Sequence, residues 1–305
     1  MQVYTLIVNP TSGRGVALKR LREIEEILKQ RSLEYRIEQA SKPMDAARIA
    51  RETAAHRPEG IIAVGGDGTL FEIINGMIGS DVPLLFASCG TGNDFVRTLK
   101  LPKDPVEALL QQLDAPTSRI DVGRMNDYYF LNVAGTGFDV EVLRNAEKYK
   151  ERYTGLRTYL FGLFDAIRDF RPMTAHVSFD DGPEEEVSFS ILSIGNGRYI
   201  GGGMKAVPDA LLDDGLFDVV TVRPVSKPAI ALLIAFYIAG KHIALKLGVL
   251  RRCRKLSIRR PGMTLNLDGE LFSADSARFE LLPGALCVRV PGINAASAPA
   301  KAHTA

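Results

Sequence analysis

The chain has 305 residues, of which 46% are hydrophobic and 24% charged, and its formal net charge is +2. This balance describes an ordinary globular protein of about two domains and gives no global electrostatic case for binding nucleic acid. Three scattered cysteines, Cys89, Cys253 and Cys287, form no CxxC or Cys/His spacing, so neither a zinc site nor a disulfide framework is expected and a reducing, cytoplasmic setting fits best.

The opening stretch MQVYTLIVNP lacks a charged n-region and a long apolar core, and reads as a first strand rather than a signal peptide. Leu21, Ile24 and Leu28 then fall at helical spacing and predict a helix over 16–31. The strand LEYRIE, a helix over 43–56, the strand GIIAV, a further helix, the strand PLLFA and a helix opening near Thr91 complete a βαβ rhythm. That rhythm implies a parallel sheet, with ligands at the carboxyl ends of its strands. Beyond about residue 120 the texture turns to short strands, with DDG as a hairpin turn and helices expected over 139–150, 157–169 and 227–246. We therefore expect an α/β domain over 1–121 and a second, mainly antiparallel β domain over 122–290, with 291–305 a candidate completion of the first. The apolar stretch AIALLIAFYIAG, residues 229–240, is shorter than the roughly 20 residues needed to cross a bilayer.

Four glycine-rich or acidic stretches fall at strand ends. In VNPTSGRG, Asn9 and Pro10 turn the chain, and Thr11, Ser12 and Gly13 present hydroxyls and N–H groups before a helix, an arrangement suited to an anion or, more plainly, to a helix cap. In GGDGT, residues 65–69, the glycines allow close backbone approach and successive N–H groups that cradle phosphate oxygens. Asp67 would repel a bare phosphate, and makes sense beside a metal ion; the plainer reading is a tight turn with an Asp cap. SCGTGNDFVRTL repeats the device one strand later, with Asp94 as a second acid and Arg97 as a nearby cation. In LNLDGEL, Asp268 and Glu270 share one face if the segment is extended, and can supply a base or a metal ligand; the plainer reading is a polar turn.

Taken together, VNPTSGRG, VGGDGTLFEIING, GTGNDFVRTL, IGGGMKAVPDALLDDGLFDV and LDGE stand in the order of the bacterial diacylglycerol kinase-like lipid kinases, which are similar to the catalytic domain of sphingosine and ceramide kinases. The resemblance covers residues 8 to about 270, and GTGNDF with DGE is its specific part, since GGDGT alone also resembles NAD kinase and phosphofructokinase motifs. It implies an NAD kinase/diacylglycerol kinase-like α/β fold carrying an ATP site formed by Asn9, Pro10, Thr11, Ser12, Gly13, Gly65, Gly66, Asp67, Gly68, Thr69, Glu72, Thr91, Gly92 and Asn93. It further implies Mg2+ held by an acidic network that maps onto Asp67, Asp94 and Asp121. The base falls in DGE, assigned to Asp268 with Glu270 as its partner or rival. A structural metal site of some relatives maps onto the Leu211 and Leu216 carbonyls and Asp214. The implied reaction is transfer of the ATP γ-phosphate to a lipid alcohol such as diacylglycerol at the membrane surface, by a peripherally attached cytoplasmic enzyme. Two departures touch the ATP site: Ser88 and Cys89 precede GTGND where many relatives carry Pro, and Ala40, with Ser41 adjacent, replaces an ATP-touching threonine.

Two other readings compete. An NAD kinase would need a different motif after GGDGT, and a non-catalytic nucleotide- or lipid-binding protein would have no use for a base. The basic run RRCRKLSIRR suits either anionic headgroups or a solvated strand face, and residues 229–247 suit either an acyl pocket or a core helix. His242 has no metal-ligand partner at useful spacing. An edge strand of the second domain is a candidate for homodimer pairing.

Overall fold

The computed structural model describes residues 3–149, 153, 156–244 and 248–292. In chain order, the first part comprises β1 (Val3–Val8), a 3-10 turn (Ser12–Arg14), α1 (Val16–Gln30), β2 (Glu34–Gln39), α2 (Asp45–Ala55), β3 (Gly60–Gly65), α3 (Asp67–Met77), β4 (Leu84–Ser88), α4 (Asp94–Thr98) and α5 (Pro105–Leu113). The second comprises β5 (Thr117–Met125), β6 (Tyr128–Phe130), β7 (Val133–Gly137), α6 (Phe138–Glu147), α7 (Leu156–Asp169), β8 (Met173–Phe179), β9 (Glu185–Phe189), β10 (Ile191–Gly195), β11 (Phe217–Val222), α8 (Lys227–Ile238), β12 (Gly248–Cys253), β13 (Lys255–Leu267) and β14 (Glu270–Arg289).

The first strands pair in parallel in the order β2-β1-β3-β4. β3 is buried along its whole length, as expected of a strand covered by helices on both faces. The later strands are mostly antiparallel, in the order β12-β11-β10-β7-β13-β14. The expected α/β domain with a parallel sheet and second, antiparallel β domain are both present. β14 joins them. Its start pairs with β13, and its end lies beside β4 (Val288 opposite Leu84) and antiparallel to β5. Leu286, Val288 and Val290 are buried in one core with Phe86, Ile120 and Val122, so residues near 288 complete the first sheet. Residues 293–305, part of the expected completion, lie outside the described residues.

Three details depart from expectation. α5 went unread, although Asp104 caps it by accepting from the Val106 and Glu107 amides, with Pro105 next. α8 ends at Ile238, not near 246. Gly240 is left-handed at φ +72°, and Gly240 and Lys241 donate back to Tyr237 and Phe236, a glycine C-cap that closes the helix. KLSIRR and TLNL are one strand with an irregularity between Arg259 and Met263, and ARFELL and LCVRV are likewise continuous.

The basic run resolves as strand faces met by local acids. Arg251 pairs with Glu185, Arg252 with Asp218, Lys255 with Asp181 and Arg259 with Glu184. This is the plainer of its two readings.

Candidate functional site

The carboxyl ends of β1, β3 and β4 open on one cleft of about 250 Å3, closed from the other side by the β13–β14 turn and residues 199–201. Ser12, Gly13, Gly66, Asp67, Gly68, Thr91, Gly92, Asp94, Asp268 and Glu270 line it. Four separate turns are thereby brought to one place.

Their glycines are required by close approach. A Cβ on Gly13 would stand 2.0 Å from the Cys89 carbonyl oxygen, and one on Gly90 would stand 2.6 Å from Gly66 Cα. Nothing larger than glycine fits where the GGDGT and GTGND loops touch. Asn9 stiffens the first loop, accepting from the Thr11 amide and hydroxyl and donating to Thr69 Oγ1 at 3.2 Å. Thr69 is buried, and its side chain packs on Gly65. These residues brace the loop from behind and do not line the cleft.

Asp67 opens α3 and Asp94 opens α4. The Asp94 amide donates to Asp67 Oδ1 at 2.9 Å, and Asp94 Oδ2 accepts from the Gly202 amide at 2.8 Å. Asp94 Oδ1 is buried without a hydrogen bond, and Arg97 Nε lies 3.7 Å away. Burial raises the pKa of both acids; the proximity of Asp67 adds to it for Asp94, and α4 amides oppose it for Asp67. Two neighbouring buried acids, with Asp67 raising the proton affinity of Asp94, fit a divalent cation that takes its remaining ligands from phosphates and water. Among the described residues no three Asp, Glu, His or Cys groups converge as a closed metal site.

Asp268 and Glu270 differ sharply. Asp268 sits in the turn at φ +50°. It accepts from the amides of Leu131, Asn132 and Val133 at 2.7, 2.9 and 3.0 Å. Burial, with Asp67 nearby, raises its pKa to about 7 against the pull of those amides. Glu270 is exposed on the cleft wall, and a Cβ on Gly68 would stand 3.1 Å from its Oε1.

Several expected residues lie elsewhere. Asp121 is not in the cleft. It is buried, accepting from the Gly284 and Gly215 amides at 2.8 and 2.7 Å, because β5 carries it to the 211–216 loop. There Asp213 and Asp214 add to the effect of burial in raising its pKa. Glu72 accepts from the Ala46 amide at 3.1 Å and so holds the start of α2. Ala40 is buried, and Ser41 bonds Asp45 through its amide and hydroxyl. Asn93 is the left-handed residue before α4 at φ +53°. Pro10, Thr11 and Gly65 do not line the cleft either. In the candidate structural site, Asp214 Oδ1 accepts from the Leu216 amide at 3.1 Å. Arg252, paired with Asp218 at 2.7 Å, lies 3.9 Å from Asp214 Oδ2, and Leu211 is exposed.

Sequence reasoning missed Asn132, Tyr199, Ile200 and Gly201, all on the cleft wall. The glycine run in RYIGGGM was the available signal.

The chain matches the diacylglycerol kinase catalytic domain model over residues 3–125 and the YegS C-terminal NAD kinase beta sandwich-like domain model over 132–290. It belongs to the diacylglycerol kinase-like family of lipid kinases. A probable lipid kinase YegS-like of Pseudomonas fluorescens Pf-5 is 35% identical over 252 residues, 81% of this chain and 82% of that one. The diacylglycerol kinase of Bacillus subtilis is 30% identical over 276 residues, 88% of this chain and 90% of that one. A Bacillus anthracis protein, solved as a candidate diacylglycerol kinase, superposes with a TM-score of 0.78 at 26% identity, covering 96% of both chains.

Proposed function

We propose that the protein transfers the γ-phosphoryl group of ATP to a hydroxyl of a lipid, diacylglycerol being the first candidate. The observation that carries this reading is the meeting of the Gly66–Gly68 loop, Asp94 and the Asp268–Glu270 turn around one cleft. Phosphoryl transfer asks for positioning and charge neutralisation more than covalent chemistry. The amides of the two glycine loops and the α3 N-terminus hold phosphate oxygens. Asp67 and Asp94 would hold Mg2+, which when bound neutralises phosphate charge.

Glu270 takes the proton of the attacking hydroxyl. Asp268 already accepts three N–H groups, and serves to lock the turn that aims Glu270. Residues 1–121 supply the nucleotide half and 122–290 the acceptor half. The Leu211, Asp214 and Leu216 site is proposed as structural, with Asp121 among its surrounding acids rather than in the catalytic network.

A lipid acceptor suits the neighbouring cavity. Phe138, Val142, Leu163, Ile191, Ile230 and Leu233 are among the side chains enclosing about 50 Å3 of apolar space. α6 divides it from the cleft: Val142 faces the cavity and Leu143 the cleft. A whole acyl chain needs more room than this, so entry requires α7 and α8 to part. Phe164, beside Leu163 on α7, is 72% exposed, a side chain suited to the membrane interface from which such a substrate comes.

The test is incubation with γ-labelled ATP, Mg2+ and a panel of lipids in mixed micelles, beside Glu270→Gln. Label in one lipid with the wild type alone supports the reading and names the substrate. Label in NAD, or ATP binding with no transfer to any lipid, overturns it.

A further inference from the structure

The run Gly201–Gly202–Gly203 has no role in the reading above, yet all three residues adopt left-handed φ, +63°, +84° and +122°. A short antiparallel bridge pinches the run into a hairpin: Ile200 and Met204 exchange N–H···O bonds of 3.0 Å in both directions. Each glycine meets a different part of the nucleotide half. Gly201 lines the cleft. Gly202 donates its amide to Asp94 Oδ2 at 2.8 Å, and its Cα is 3.8 Å from where a Gly92 Cβ would stand. A Cβ on Gly203 would lie 3.5 Å from Arg97 Cζ, and Arg97 itself donates to the Gly92 carbonyl at 3.2 Å.

We propose that this hairpin is a positioning element for phosphoryl transfer, reaching from the β-rich half to set the orientation of the Asp94 carboxylate through the Gly202 N–H. The inference rests on the reading of the cleft as a phosphoryl-transfer site. A carboxylate has two oxygens and can rotate. With Oδ2 held by Gly202, Oδ1 is turned to the Arg97 side chain, 3.7 Å from its Nε and without a hydrogen bond, so the carboxylate is fixed in one orientation between the hairpin and α4. The donor is a backbone amide on a left-handed segment that comes close to the GTGND loop, Gly202 Cα lying 3.8 Å from where a Gly92 Cβ would stand. The hairpin contacts Asp94 without supplying a reacting atom, so the role assigned to Gly202 is one of positioning.

The test is Gly202→Ala beside Gly79→Ala. Gly79 is also left-handed, at φ +83°, with open space around its Cβ, so that variant reports the cost of backbone strain remote from the cleft. For Gly202→Ala we expect kcat to fall about 100-fold, ATP dissociation constants from calorimetry to stay within about threefold, and the melting temperature to match that of Gly79→Ala. Unchanged kcat, or parallel losses of ATP affinity and melting temperature, would overturn the proposal.

A second measurement needs no turnover. In glycine-15N-labelled protein the Gly202 amide proton should resonate downfield, as a charge-assisted bond requires, and move upfield in Asp94→Asn. A Gly202 resonance indifferent to Asp94 refutes the contact. A wild type that phosphorylates no lipid refutes the kinase reading, while the amide measurement still decides whether the hairpin holds Asp94.

Discussion

At the scale of single residues, the two carboxylates of DGE separate by exposure: Glu270 is exposed on the cleft wall, while Asp268 is drawn in against the Leu131–Val133 amides. Glu270→Gln keeps shape and removes a proton acceptor. It should lower kcat by about 10²–10⁴, keep ATP affinity, and cost less stability than Asp268→Asn. Asp268→Asn replaces the carboxylate that faces three backbone donors with a group that is half donor. At least one N–H then faces an NH2 group, at about 1–3 kcal/mol. That variant should lose stability as well as activity, in urea melts and in the transfer assay respectively. Equal stability losses in the two variants would contradict the division of roles. The resemblance put the base at Asp268 with Glu270 as its partner or rival, and the proposed mechanism exchanges the two; the sequence offered no ground for that, because Asp268's donors lie more than 130 positions away, at Leu131–Val133. Asp121 illustrates the same limit. A motif names it, yet only the strand pairing of β5 with β14 reveals that it faces Gly215 and Gly284.

At the scale of elements, the glycine loops were legible because their chemistry is local: a strand, two or three glycines, an acid, a helix. Where α8 would stop was less legible, since apolar residues continue past Gly240 and hide a cap that depends on one left-handed residue. Just beyond that cap, His242 is wholly buried and its Nε2 meets the Ala206 carbonyl oxygen at 3.1 Å. Burial lowers its pKa below the usual 6.5. The unfolded chain therefore takes up a proton near pH 6.5, before the folded one does. His242 thus costs no stability above that pH and a growing amount as the pH falls toward its folded value. Urea melts between pH 7.5 and 5.5 should show wild type losing stability on acidification relative to His242→Gln. A constant difference between the two across that range would refute it. At the other end of the chain's path, Arg289 pairs with Glu59 and donates to Tyr4 Oη at 2.7 Å, largely out of water. Arg289→Met should cost about 2–4 kcal/mol by stranding Glu59, seen as a lower urea midpoint.

At the scale of the whole molecule, the two halves share their β-structure. β14 begins at the cleft with Glu270 and ends beside β4. The sequence shows ARFELL and LCVRVP as two ordinary strands. Nothing local in them says that one belongs to the β-rich half and the other to the nucleotide half, because that follows only from long-range pairing. A fragment of residues 1–125 should consequently lack the buried Leu286 and Val288, each worth about 1.5–3 kcal/mol when covered, and leave β5 without its main partner. Limited proteolysis and near-UV circular dichroism should find it loosely packed, and a folded, ATP-binding fragment would contradict this. Phe164→Glu addresses the exposed side of α7. It should reduce turnover on vesicles and spare turnover of a short-chain, monomerically soluble lipid; equal losses on both would place Phe164 in packing instead. The position of β14 also orders events at the ribosome. The segment that closes the nucleotide sheet is made some 160 residues after the family model of that half ends, from 125 to 286–289. A nascent chain therefore carries GGDGT and GTGND for most of its synthesis without a finished sheet beneath them. The glycine loops gain the last of their support only after Glu270 has been made, so on the proposed kinase reading ATP would first meet a complete site and not a half-built one that could hydrolyse it without an acceptor.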